Sequence, residues 1–227
     1  MVSIIKNILL KPFINEKSSL EDTVANYLQA TTKDISKKNA AKEKLANSIF
    51  DNYYLSFKRY FEFSTKNSSI AEELTQDTLL KIYRSLESYQ PDKAQFKTWA
   101  WTIAKNHFRD YLRSNARKED NANKLEIEGT YFDTDADQIS EPWMQNFLVD
   151  DELNKLIKHE NNRTVTNAIA LLSEKNRDVL LSWLESDLSM DELAQVHDMS
   201  VQQIKNHLFQ SKKKLKEILR ENKHENS

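Results

Sequence analysis

Apolar positions between residues 41 and 118 recur with helical spacing. Phe50, Tyr53, Tyr54, Phe57, Tyr60 and Phe61 fall at i, i+3, i+4, i+7, i+10 and i+11, one wide aromatic face that reads as a buried stripe. Ser69-x-x-Glu72 has the pattern of a capping box and opens a helix carrying Ile70, Leu74, Leu79, Ile82, Tyr83 and Leu86. Tyr89 to Gln95 contains Pro91 and reads as a loop. A third helix is expected from about Phe96 to Arg117. A second helical unit spans 161–220: Val165, Ile169 and Leu172 lead into Val179, Leu180, Trp183 and Leu184. Two capped helices close it, one opened by Ser189-x-x-Glu192 and one by Ser200-x-x-Gln203.

Elsewhere the periodicity weakens. In residues 1–40 the one helical signal is Ser18-x-x-Glu21 followed by Leu20, Val24, Tyr27 and Leu28, and Thr31 to Asn39 reads as a polar linker. Residues 119–152 carry ten more acids than bases and read as an extended or disordered linker. Helical spacing returns at Trp143, Met144, Phe147, Leu148, Leu153, Leu156 and Ile157. The expected organisation is therefore an N-terminal extension (1–40), a helical domain (41–118), an acidic linker (119–160) and a second helical domain (161–227). Two domains on such a linker are expected to move relative to each other.

Composition sharpens the class to all-α. The chain of 227 residues has one glycine and three prolines, where average usage gives roughly 16 and about 11. That shortage disfavours glycine-rich hairpins and phosphate loops. With no cysteine there are no disulfides and no thiolate chemistry. The longest apolar run, Ala168 to Leu172, is far short of the ~20 residues a spanning helix needs. A cytoplasmic protein without membrane insertion is expected.

Net charge is only −2, but local charge is informative. From 201 to 223 bases exceed acids by five, on and after the second of two short helices joined by a turn at His197-Asp198-Met199. Capped helices, turn and basic patch together read as a helix-turn-helix with a phosphate footprint. Ser200, Gln202, Gln203, Lys205, Asn206, Phe209, Lys212 and Lys213 are its candidate DNA contacts, since Gln and Asn match adenine edges and Lys reaches guanine or phosphate. The plainer reading is an amphipathic hairpin with a solvated lysine face. From 81 to 118 bases exceed acids by six, with Arg109, Arg113 and Arg117 on one helix face and aromatics interleaved. Cations beside aromatic rings suit single-stranded nucleic acid. The alternative is that the aromatics are core, which Trp99 favours.

Two motif sets carry a family resemblance. Ala71-Glu72-Glu73-Leu74-Thr75-Gln76-Asp77-Thr78-Leu79, then Phe96-x-x-Trp99-x-x-x-Ile103-Ala104-x-Asn106 and Tyr111-Leu112-Arg113, resemble region two of bacterial sigma-70 factors of the extracytoplasmic-function (ECF) group. Leu172 to Leu180 with the helix-turn-helix resembles region four. The resemblance covers roughly 45–118 and 163–220. It implies a protein that binds core RNA polymerase through its β′ and β subunits, recognises −10 and −35 promoter elements and promotes DNA melting. Leu74, Gln76 and Asp77 would contact the polymerase. Lys93, Phe96, Lys97, Trp101, Lys105, Asn106, Arg109, Arg113 and Arg117 would meet the single-stranded −10 element, with Asn106 at the position that captures a flipped base. The helix from Val201 would read the −35 duplex. An anti-sigma factor is a further candidate partner.

Departures from the family pattern are specific. Thr102 stands where arginine is common, and Asp198 where the turn usually has glycine; aspartate tolerates the left-handed conformation the turn needs. Gln202, Gln203 and His207 replace smaller or more basic residues. Among other classes, an enzyme finds no metal-protease, phosphate-loop or nucleophile motif. Glu221-x-x-His224 has di-iron spacing but occurs once, where such sites need two, so no metal, cofactor or catalytic residue is expected. A helix-turn-helix regulator independent of polymerase explains 185–220 but not Ala71 to Arg113.

Overall fold

The computed structural model describes residues 18–30, 35–120 and 162–225. Within them the chain forms eight α-helices and one 3-10 turn: α1 (Ser18–Gln29), α2 (Ile35–Thr65), α3 (Ser68–Ser85), the turn Leu86–Ser88, α4 (Phe96–Asp120), α5 (Asn162–Ala170), α6 (Glu174–Ser186), α7 (Met190–His197) and α8 (Val201–Glu225). The acidic stretch and the returning periodicity from Trp143 to Ile157 lie outside the described residues, and so does the N-terminal apolar segment.

The aromatic stripe is narrower than its spacing predicts. Tyr53, Phe57, Tyr60 and Phe61 are buried on α2, but Phe50 is 51% exposed and Tyr54 half-buried. Phe50 and Tyr54 stack on each other at 4.8 Å along the helix flank. Trp101 fills the centre, meeting Phe57 edge-on at 5.0 Å and Tyr60 at 5.5 Å. Phe108 adds a further edge against Tyr60. Such edge-to-face pairs match the ring quadrupoles as well as excluding water.

Local starts and stops explain the boundaries. Asn67 caps α3, its Oδ1 accepting from the Ser69 and Ile70 amides at 3.0 and 3.1 Å. The expected Ser69–Glu72 box is absent because that cap is already filled. Glu72 instead accepts from Tyr54 Oη and Gln76 and pairs with Lys58 at 2.8 Å. These three donors hold its carboxyl down at about 2. Ser189 and Glu192 do form a reciprocal capping box on α7. The proposed polar linker Thr31–Asn39 is partly helix, since α2 begins at Ile35. Helix α1 packs on α2, burying Val24 and Tyr27.

Helices α2, α3 and α4 form one unit and α5 to α8 another, and the two units are in contact. Helix α2 packs against α6, and α4 against α7. Within the first unit Thr78 Oγ1 and His107 Nδ1 lie 2.9 Å apart, stitching α3 to α4.

Candidate nucleic-acid interface

Helix α4 sorts its candidate residues by face. Phe96 and Trp101 are 7% and 1% exposed, so they belong to the aromatic core and not to a strand-binding surface. Their placement follows from the period: Phe96, Ala100, Trp101, Ala104 and Phe108 form one buried stripe. Asn106, Arg109 and Arg113 are exposed on the other side, and Arg109 donates to Asn106 Oδ1 at 2.9 Å. Arg113 lies 3.8 Å from Asp110. The Arg117 side chain falls outside the described residues. Thr102, in place of the usual arginine, turns its hydroxyl onto the Thr98 carbonyl at 2.8 Å. Trp99 is half-buried and packs between Tyr89 and Phe96.

The second unit presents a helix-turn-helix. The chain reverses at Asp198, whose φ of 53° and ψ of 49° are left-handed; no glycine is needed because the short aspartate tolerates that region. Its amide donates to the carbonyls at the end of α7. Leu193, Ala194, Ile204 and Leu208 bury the inner faces of α7 and α8. Ser200 and Gln203 cap each other: the Gln203 amide donates to Ser200 Oγ at 3.2 Å, and the Ser200 amide to Gln203 Oε1 at 2.8 Å. Gln203 thus spends its carbonyl oxygen on the helix start, although its side chain is exposed. Gln202 is exposed and donates to Asn206 Oδ1 at 3.1 Å, a pre-aligned amide pair on one face. Lys205, Asn206 and Phe209 are half-buried, and Lys213 is exposed. Lys212 is 5% exposed, because it shares the buried stripe of Leu208, Leu215 and Leu219 one turn away; it is not part of an outer phosphate patch.

Comparison with known proteins matches these two units in order. Residues 50–118 match the family model of sigma-70 region 2, and 162–215 that of sigma-70 region 4, together more than half of the chain. The chain belongs to the sigma-70 family, in its ECF group. The ECF RNA polymerase sigma factor SigM of Bacillus subtilis is 24% identical over 172 residues, covering 76% of this chain and 93% of that protein. The ECF RNA polymerase sigma-E factor of Escherichia coli K12 is 27% identical over 142 residues, covering 62% and 69%. In fold, the sigma factor RpoE solved with the anti-sigma factor NepR from Bartonella quintana superposes with a TM-score of 0.56 at 18% identity, covering 77% of this chain and 96% of that one.

In this sigma factor α3 offers the polymerase-side candidates. Gln76 and Asp77 are exposed, but Leu74 is 4% exposed and packs inward beside Ala71, Thr75 and Thr78. Leu74 therefore belongs to the core that seats α3 and not to its outer face. Glu73 and Leu80, the latter 41% exposed, share the outer face with Gln76 and Asp77. Their exposure at i, i+3, i+4 and i+7 was the available signal, hidden because Leu80 also continues an apolar run.

The two sigma units meet on the basic face of α4. Lys97 Nζ lies 3.0 Å from Glu192 Oε2, and Thr98 Oγ1 donates to Glu192 Oε1 at 3.2 Å. Lys105 Nζ donates to the Val196 carbonyl at the end of α7 at 3.3 Å. Gln195 Nε2 reaches the Lys93 carbonyl at 3.5 Å. Alongside, Tyr60 Oη donates to Asp178 Oδ1, and Arg59 approaches Glu185 at 3.9 Å. His197 Nδ1 is 3.5 Å from Asp178 Oδ2 in a buried pocket. Burial pushes His197 down to about 3, helped by Lys105 and His207. Burial raises Asp178 against the pull of Tyr60 and Lys105, and lowers Lys105. Burial would also raise Glu192, but the Ser189 amide and hydroxyl and Lys97 hold it below its ordinary value.

Proposed function

We propose that the outer row of α3, Glu73, Gln76, Asp77 and Leu80, docks the sigma factor on the β′ subunit of core RNA polymerase. The exposed face of α4, Asn106, Arg109 and Arg113 with Lys93, Lys97 and Lys105, meets the non-template strand of the −10 element. Helix α8 enters the −35 duplex with Gln202, Asn206, Lys205 and Lys213. The observation that carries this reading is the exposed Asn106–Arg109 pair: an amide beside a guanidinium, on a rigid helix whose opposite face is core. An amide can read the Watson–Crick edge of a flipped base while the guanidinium holds the adjoining phosphate. Gln203 supports α8 from its cap, and its part in base reading is limited to its amide nitrogen. The sigma factor contributes no reacting group; polymerase performs the chemistry, in the cytoplasm. The NepR-bound relative supports a further partner, an anti-sigma protein.

The test is reconstitution with bacterial core RNA polymerase. Co-elution followed by run-off transcription from genomic fragments should give new start sites. Arg109→Ala should lower open-complex formation while leaving co-elution intact; equal loss of both would remove Arg109 from the −10 face.

A further inference from the structure

We propose that Glu72, itself held by Tyr54 and Lys58 of α2, is the positioning residue that aims the Gln76 side chain for polymerase docking. The inference rests on the assignment of the outer row of α3 to core RNA polymerase, and says how one member of that row is set in place.

The Glu72 carboxylate divides its two oxygens between two tasks. Oε2 takes the Lys58 ammonium at 2.8 Å. Oε1 accepts from Tyr54 Oη at 2.7 Å and from Gln76 Nε2 at 3.0 Å. Two of these donors come from α2 and one from α3, so the carboxylate is tied across the helix pair as it reaches Gln76. Tyr54 is braced in turn: Phe50 stacks on its ring at 4.8 Å, and the Lys58 ammonium lies 5.8 Å from the ring centroid. Tyr54, Lys58 and Glu72 are half-buried, whereas Gln76 is exposed. With its carboxyl held down at about 2, Glu72 stays ionised and is a strong acceptor.

This chemistry settles which end of the Gln76 amide faces outward. A carboxylate offers only acceptors, so the amide nitrogen turns toward Glu72 and the carbonyl oxygen away from it. A docked surface must therefore offer a donor to that oxygen. A glutamine with nothing to hold it samples several rotamers, and ordering it on docking weakens binding. In this chain the order is built in beforehand. Ion pairs this accessible contribute little to folding, so the consequence of the network is geometric.

The test is a double-mutant cycle in the full-length chain, read as affinity for bacterial core RNA polymerase by competition against labelled wild-type chain. Gln76→Ala should weaken binding about tenfold. Glu72→Ala should weaken it about three- to tenfold, the cost of ordering one long side chain, and should weaken it no further once Gln76→Ala is present. Tyr54→Phe combined with Lys58→Met releases Glu72 from α2 without altering α3, and should follow the same rule. Glu72→Gln keeps a carbonyl oxygen for Tyr54 and Gln76 and should restore most of the affinity. A general loosening of α2 on α3 would instead lower affinity equally with and without Gln76. Losses that persist in the Gln76→Ala background thus overturn the proposal, since Glu72 then acts by direct contact or by packing. So does unchanged affinity in Glu72→Ala beside a weakened Gln76→Ala, a result that leaves the docking row standing. Unchanged affinity in Gln76→Ala removes Gln76 from the docking row, and the positioning role with it.

Discussion

Replacing Trp101 separates a core role from a DNA-contact role most cleanly. The indole is 1% exposed and meets Phe57 and Tyr60 edge-on at 5.0 and 5.5 Å. Trp101→Ala removes those rings' shared contacts and leaves a cavity between α2 and α4. Truncations of this kind cost about 3–5 kcal/mol, of which the two edge-to-face pairs account for about 0.5–1.5 kcal/mol each. Against a typical total of about 5–15 kcal/mol that is a large share. With a urea slope of about 2–3 kcal/mol per molar, the midpoint should fall by roughly 1–2 M. Trp101→Phe keeps one ring and loses the equivalent of about two buried methylenes, roughly 1.5 kcal/mol. Equilibrium urea unfolding of the full-length chain, followed by far-UV circular dichroism, measures both. A Trp101→Ala protein with an unshifted midpoint that no longer bound −10 single strands would place the indole at the DNA and refute the packing argument.

Asn106→Ala should weaken binding of the −10 single strand by about tenfold or more, with core polymerase binding unchanged by size-exclusion co-elution. Ser200→Ala breaks the reciprocal cap with Gln203 and should cost about 1 kcal/mol in thermal unfolding; Gln203→Glu, which preserves the box, should cost less. Acidification should lower the stability of the fold. His197 is held neutral with its pKa near 3, so below the ordinary 6.5 the unfolded chain binds a proton the folded one does not. Its contribution is complete above about pH 6.5 and is lost as pH falls toward 3. Asp178, raised by burial, acts in the opposite sense and softens the slope; a His197→Phe chain should lose part of the dependence below pH 6.5 in melting temperature, the rest coming from His107 and His207, which burial also lowers.

Helix content and both DNA-type motifs were legible in the chain because their signals are local. Capping at Ser189–Glu192 and Ser200–Gln203, and the left-handed Asp198, follow from short-range hydrogen bonding. What the spacing could not decide was which of two flanks of an amphipathic helix faces inward. Phe96 and Trp101 looked like stacking residues because they alternate with cations, yet they sit on the stripe of Ala100 and Ala104, where only core fits. Lys212 and Leu74 fail for the same reason: a basic run named the first and a motif position the second, and the period buried both. Asn67 outcompeted Ser69 as a cap because its Oδ1 serves two amides at once. The contact between α4 and α7 joins residues about a hundred positions apart, and no local pattern encodes it.

That contact already pairs a lysine of α4 with an anionic group. Lys97 meets a carboxylate in the packed state, and a phosphate would satisfy the same ammonium with the same sign and nearly the same geometry. The capping box on α7 is formed within the second unit, by Ser189 and Glu192 alone. Lys97, Thr98 and Lys105, with the Tyr60–Asp178 pair beside them, join the two units. The polar part of the contact is a few half-buried interactions, each worth about 1 kcal/mol and more where charged.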